Sequence, residues 1–128
     1  MVRIEENSIS YDIRGASFKV YNELGPGLLE SVYEATLAYE LSEIGYDIAT
    51  QVPLPVEYKS VKLNMGFRLD ILVEDLVIIE VKSVEELAPV HYKQLLTYLK
   101  LTKKKLGLLI NFNTDNISGS IKRIVNGL

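Results

Sequence analysis

Phe67-Arg68-Leu69-Asp70-Ile71-Leu72-Val73-Glu74-Asp75-Leu76-Val77-Ile78-Ile79-Glu80-Val81-Lys82 is the stretch on which the fold turns. In its first half the apolar residues Phe67, Leu69, Ile71 and Val73 alternate with Arg68, Asp70, Leu72 and Glu74, the period-two pattern of a strand. Its second half, Leu76 to Val81, is a nearly continuous apolar run, as in a central strand covered on both faces. If Glu74-Asp75-Leu76 forms a three-residue hairpin loop, Val73 faces Val77 and Asp70 falls opposite Glu80. A two-residue loop would instead set Asp70 against Ile79.

Working outward, Pro89 to Leu101 has helical spacing, with Leu95, Leu96 and Leu99 inward. Leu106 to Phe112 is a second buried strand, and Ile117 to Val125 fits a strand or a helix, the short strand being preferred. Upstream, Ser10 to Leu24 reads as a helix with Ile13, Phe18, Val20, Tyr21 and Leu24 as apolar candidates. Gly25-Pro26-Gly27 breaks it. A second helix follows over Leu28 to Ile44, with Tyr33, Leu37, Leu41 and Ile44 on one stripe and Gly45 as its stop. Gln51 to Tyr58 alternates through Val52, Leu54 and Val56 as a strand would, while Pro53 and Pro55 share the other face and argue for an edge or irregular strand. Helices, three strands, a helix, a strand and a terminal element predict an α/β fold with a mixed central sheet flanked by helices.

The chain of 128 residues predicts one domain over 1–128, large enough to bury a core unaided. With 0 Cys, disulfides, thiolate catalysis and Cys-based zinc sites are excluded, and 1 His excludes a His-rich cluster. Any metal would be held mainly by carboxylates, which favours Mg²⁺ or Mn²⁺. No apolar run is long enough to span a bilayer, and the first residues carry no signal-peptide core, so no membrane partner and a cytoplasmic location are the expectation. The net charge of −3 is mildly unfavourable for binding nucleic acid, although a local basic patch can supply the contacts.

Three carboxylates stand where burial is expected. Glu80 and Lys82 are two apart on the central strand and share a face. A charge there costs several kcal/mol unless it is paired or bound to a metal. The plainer alternative is a Glu–Lys pair at a solvent-facing strand end. Asp70 opposite Glu80 would place like charges about 4.5–5.5 Å apart at Cβ, a repulsion that a divalent cation would convert into binding. Glu30 shares the stripe of Tyr33, Leu37 and Leu41, yet a glutamate at a helix start also complements the macrodipole. Glu34 and Glu40 are read as solvated, or paired at the edge of that stripe. Gln94 and Tyr98 share one helix face, with His91 on the same side.

Together these residues resemble a known family. Gly27-Leu28-Leu29-Glu30-Ser31-Val32-Tyr33 matches the Gly-x-x-Glu-x-x-Tyr signature that names the GxxExxY proteins. Asp70 followed by Glu80-Val81-Lys82 is similar to the D…ExK core of PD-(D/E)xK nucleases. Gln94-Leu95-Leu96-Thr97-Tyr98 matches the Q-x-x-x-Y motif that follows that core in RecB-type members, and the strand Leu106 to Phe112 also looks like this family. Leu69 stands where the superfamily name has proline. The resemblance implies a restriction-endonuclease-like αβββαβ core and a metal-dependent nuclease, with DNA favoured over RNA. It further implies that Asp70 and Glu80 ligate Mg²⁺ or Mn²⁺, with the Val81 carbonyl and Glu30 completing the site. Lys82 would orient or activate the attacking water and stabilise phosphate charge, and Gln94 and Tyr98 would orient Lys82 or hold the nucleic-acid backbone. A phosphodiester is anionic, so such a site must both neutralise charge and generate a nucleophile. Flanked by two carboxylates, Lys82 is expected to stay cationic and so to suit electrostatic stabilisation.

Lys103, Lys104 and Lys105, with Arg123 from the tail, form a candidate phosphate-contacting patch beside the site. The plain alternative is a set of solubilising cations near a helix C-terminus. Tyr11, Tyr39, Tyr46 and Tyr58 are candidate base-stacking aromatics without a distinguishing mark. A silent nucleic-acid- or protein-binding module and a different metal-dependent enzyme on the same scaffold are the competing readings. A homodimer would suit a domain this small if the substrate is a duplex.

Overall fold

The computed structural model describes the backbone of residues 2–128 and the side chains of residues 5–128. Helix α1 (Val2–Leu24) starts earlier than its apolar spacing predicts and buries Ile9, Ile13, Ala16 and Val20, while Leu24 stays partly exposed. Helix α2 (Glu30–Ile44) buries Tyr33, Leu37 and Leu41, and Ile44 is exposed at its end. Gly45 closes α2 at φ 114°, a backbone conformation that side chains other than glycine's rarely adopt.

Four strands follow, where the alternation predicts two. Strand β1 (Ile48–Pro53) ends where Leu54 and Pro55 interrupt the run read as one strand. β2 (Val56–Tyr58) and β3 (Val61–Leu63) then form a separate hairpin. β4 (Arg68–Val73) returns alongside β1. β5 (Val77–Lys82), helix α3 (Pro89–Thr102) and β6 (Leu106–Asn111) form a parallel crossover unit. A short 3₁₀ turn (Ser118–Ser120) leads into β7 (Ile121–Val125), so the tail is a strand as expected.

The main sheet runs β1-β4-β5-β6-β7, with β5 and β6 parallel and the other neighbouring pairs antiparallel. One face carries Ile71, Val73, Val77, Ile79, Val81, Leu108 and Ile110 against α1 and α2. The other carries Leu72, Ile78 and Leu109 against Leu95, Tyr98 and Leu99 of α3. Burial on both faces explains the continuous apolar runs of β5 and β6. Gly107 lets α3 settle on β6, since a Cβ there would lie 2.9 Å from Leu95 Cδ1. The expected Leu96 is half-buried, and Tyr98 takes the inward place beside Leu95 and Leu99.

Candidate active site

The β4–β5 register is Val73↔Val77, Leu72↔Ile78 and Ile71↔Ile79, the outcome of the three-residue connection. Glu74 and Asp75 turn the chain at φ 55° and 56°, and Leu76 N donates to Val73 O at 2.9 Å. Continued by one step, that register sets Asp70 opposite Glu80. There the ordinary ladder stops. Val81 N donates to Asp70 Oδ2 at 2.8 Å, and Asp70 N donates to Glu80 Oε2 at 3.0 Å. Each carboxylate thus satisfies a backbone donor on the opposing strand, and the two strands part beyond it. On its other side Asp70 faces Gln51, which interrupts the β1–β4 ladder between Thr50↔Ile71 and Val52↔Leu69 at φ 51°.

Burial decides the electrostatics. Glu80 is only 4% exposed, and that burial, with the neighbouring Asp70 charge, pushes its carboxyl up to about 8 against the pull of the Asp70 N–H and Lys82. Asp70 is likewise raised by burial, opposed by the Val81 N–H and the Lys82 ammonium, with Glu30 adding to the rise and the Gln51 amide lowering it. Burial together with Glu80 and Asp70 raises the Tyr98 phenol, which places that hydroxyl within the field of the carboxylates.

Glu30 does not turn into the core as its stripe predicts. It is exposed and accepts from Ser83 N at 3.1 Å, reaching the chain directly after Lys82. Its position follows from Tyr33, whose hydroxyl donates to Gly25 O at 2.5 Å and accepts from Leu28 N at 3.1 Å. The Tyr33 ring stacks on Phe112 at 4.5 Å. In the Gly-x-x-Glu-x-x-Tyr stretch, therefore, the tyrosine ties down the loop that delivers the glutamate.

Two residues not singled out by sequence join the site. Glu34 is raised by burial and by Asp70, and it accepts from Gln51 Nε2 at 2.8 Å. It is neither simply solvated nor paired with a cation. Asn111, 5% exposed and opposite Lys82 in the parallel register, holds the loop after β5 at both ends of its amide. Its Oδ1 accepts from Val84 N at 3.1 Å and its Nδ2 donates to Val84 O at 2.9 Å. A buried asparagine ending an apolar strand was the available signal for it.

Lys82 is half-buried on the Glu80 face and makes no ion pair within 4.0 Å among the described residues. Gln94 is half-buried with no hydrogen bond from its amide among those residues, and His91 is used locally, its Nδ1 accepting from Ala88 N at 3.0 Å. No group of three or more His, Asp or Glu side chains is gathered closely enough to hold a metal among the described residues. Asp70 and Glu80 each engage a single oxygen with backbone, so Oδ1 and Oε1 remain for another ligand.

The basic patch requires correction. Lys103, Lys104 and Lys105 precede β6, and the parallel pairing Val77↔Leu106 puts them at the end of the sheet where β5 begins, away from Lys82. Lys104 Nζ is bound there to Asp75 Oδ1 at 3.1 Å and to Asp75 O at 2.9 Å. Arg123 is bonded to Asn7 and Ser10 of α1. Proximity to α3 in sequence did not place these cations beside the carboxylates.

A mixed five-stranded sheet with helices on both faces, and carboxylates where two strands part, defines a restriction-endonuclease-like α/β protein. The model of the PD-(D/E)XK nuclease superfamily matches residues 7–124, and the chain belongs to that superfamily. No curated protein and no solved structure matches it. Membership points to nuclease-type chemistry on nucleic acid, in a superfamily that typically uses divalent metals. Among the described residues, no helix is long and apolar enough to cross a membrane.

Proposed function

We propose that this chain, as one domain, is a metal-dependent nuclease that hydrolyses phosphodiester bonds, DNA being the favoured substrate. The observation that carries the reading is the crossed arrangement of Asp70 and Glu80 where β4 and β5 part, with Lys82 on the Glu80 face. The Gly27–Tyr33 stretch further supports a place among the GxxExxY proteins.

The donor set suits a hard divalent ion. Asp70 and Glu80 each keep one oxygen off the backbone, Glu30 acts on Asp70 and Glu34 on Glu80 as further carboxylates, and Glu80, raised first by burial, is a group that a bound cation would help to ionise. Mg²⁺ or Mn²⁺ would be held by Asp70 and Glu80, with the Val81 carbonyl and Glu30 as supporting donors. When bound, such an ion polarises the phosphoryl oxygen and acidifies water. The chain's own residues do the rest. Lys82 stabilises negative charge on the phosphate, Glu30 orients water at the mouth, and Tyr98 and Gln94 line the α3 side and hold the phosphate backbone.

The test is cleavage of single- and double-stranded DNA and RNA with Mg²⁺, Mn²⁺ or EDTA, beside Glu80→Ala and Lys82→Ala. Metal-dependent cutting lost in both variants is the expected result. Cutting that survives both changes, or none on any substrate, overturns it. A second reading, a silent binding module, is favoured by one observation: Asp70 and Glu80 are already bonded to backbone N–H groups, and no three ligands are gathered for a metal among the described residues. Nucleic-acid binding without cleavage would establish it.

A further inference from the structure

The β2–β3 hairpin is unlike the rest of the molecule. Its register, Val56↔Leu63, Glu57↔Lys62 and Tyr58↔Val61, puts Val56, Tyr58, Val61 and Leu63 on one face and Glu57 and Lys62 on the other. Glu57 and Lys62 look toward a cavity of about 410 Å³ under the hairpin, shared with Leu54, Leu69, Leu101 and Lys104. The apolar face is left outward, with Tyr58 61% and Val61 56% exposed. Met65, at 66%, and Phe67 extend it toward β4. An isolated two-stranded hairpin is marginal in water, and an apolar face on one is a feature to be explained.

Position and charge say what covers it. The hairpin leaves the sheet from the ends of β1 and β4 nearest Asp70 and lies over the α3 side, where the cavity beneath it also reaches Thr102 and Asp75. Phe67 lies edge-on to Tyr98 at 6.4 Å, joining the apolar surface to the α3 side of the crevice. Residues 56–68 contain Lys59, Lys62 and Arg68 against Glu57 alone, three positive and one negative charge, a net of +2 in a chain of net −3. None of these three cations is in an ion pair or side-chain hydrogen bond among the described residues. Lys59 Nζ sits 5.4 Å from the exposed Tyr58 ring centroid, pairing a cation with a flat stacking surface. Two copies meeting hairpin to hairpin would set +2 against +2, which disfavours a symmetric dimer there.

We infer that the β2–β3 hairpin is an arm for unpaired nucleotides, with Tyr58 and Phe67 as stacking surfaces and Lys59 and Arg68 as phosphate contacts. Stacking requires a base whose face is free, so the substrate class is single-stranded nucleic acid or a duplex with an unpaired flank. This rests on the nuclease reading, of which it names the substrate class.

The experiment is fluorescence anisotropy of the full chain with labelled single-stranded DNA, single-stranded RNA and the matching duplex, in EDTA, so that binding is read apart from cleavage. The expected result is a preference for one or both single strands over the duplex. Tyr58→Ala and Phe67→Ala are each expected to weaken that binding at least about five-fold. Lys59→Ala and Arg68→Ala should each flatten the slope of log K against log salt by about 0.7. Circular dichroism verifies that each variant is folded, and Tyr58→Phe, which keeps the ring, should bind as the native chain does. Preference for the duplex, no binding, or binding indifferent to both aromatic changes overturns the arm. So does a Tyr58→Ala effect on oligomeric state by light scattering without one on binding, which would assign the face to a second copy. Single-strand binding by the hairpin without cleavage leaves the arm and removes the nuclease; cleavage with hairpin-independent binding does the reverse.

Discussion

The two ends of the β4–β5 pair are built from the same strands and do opposite things. At the turn end, Val73↔Val77, Leu72↔Ile78 and Ile71↔Ile79 pair backbone to backbone, with fully or almost fully buried apolar side chains on both faces. One step further, Asp70 and Glu80 take the opposing N–H groups with their carboxylates. The first end gains hydrophobic burial. The second gives up ladder hydrogen bonds and holds two carboxyl groups where burial opposes their ionisation. Charge there is unfavourable for the folded chain by itself, and it makes sense where a cation and a phosphate complete the arrangement.

If the turn end anchors the crevice, the largest effect should come from emptying it. Ile79→Ala removes a fully buried side chain from the α1–α2 face and should cost about 2–5 kcal/mol by urea denaturation. A loss below about 1 kcal/mol would mean that the carboxylate end contributes more to holding the strands than its geometry indicates. Lys82→Ala probes the other end. It should lower cleavage about 10²–10³-fold, equivalent to about 3–4 kcal/mol of barrier, while the urea midpoint hardly moves. A Lys82 variant that loses stability and activity together would make the lysine structural and blur the division.

This division is largely legible in the sequence. The change from alternating to continuous apolar residues located β4 and β5, and the position of Glu74-Asp75-Leu76 gave the register that opposes Asp70 to Glu80. What could not be read has physical causes. A two-residue hairpin turn usually advertises itself with Asn-Gly or a similar pair, because both residues need positive φ. Here Lys59 and Ser60 adopt φ 48° and 72°, so the β2–β3 hairpin carried no such mark. Gln51 likewise takes a left-handed backbone without being glycine, and nothing local says that it will face Asp70. Glu34, one helical turn after Glu30 on α2, meets the Gln51 amide there, a contact with no local sequence signal. The misplaced lysines had a remedy, since a strand parallel to β5 must begin where β5 begins.

Glu80→Gln tests whether the crevice end works against stability. The Glu80 carboxyl is pushed up to about 8 by burial and by Asp70, from an ordinary value of 4.5. Between those values the folded chain retains a proton that the unfolded chain has lost, so raising the pH destabilises the native state. Glutamine never ionises. The variant should match the native chain below about pH 4.5 and become more stable as pH rises, by about 1–3 kcal/mol above pH 8 in EDTA. It should also lose cleavage. Adding Mg²⁺ should shrink the stability gap, because a bound cation favours the ionised carboxylate that glutamine lacks. A gap that does not depend on pH would mean that packing, and not charge, separates the two proteins.

The smallest expected effect concerns Gln51, where the two halves of the comparison meet on the β1 side. Glycine at this position removes the strain of a left-handed backbone, worth about 1 kcal/mol. It also removes the amide that donates to Glu34 at 2.8 Å, worth about 0.5–1.5 kcal/mol. The two nearly cancel, so Gln51→Gly should leave stability within about 1 kcal/mol. Its signature is electrostatic. The amide lowers Glu34 and Asp70, both otherwise raised by burial, so its loss should move the acid limb of the cleavage–pH profile to higher pH. Stability should be indifferent while the profile shifts. If the limb stays where it is, Gln51 matters only for the bend it puts in β1, and the carboxylates titrate under the control of Glu80, Lys82 and the strand N–H groups alone.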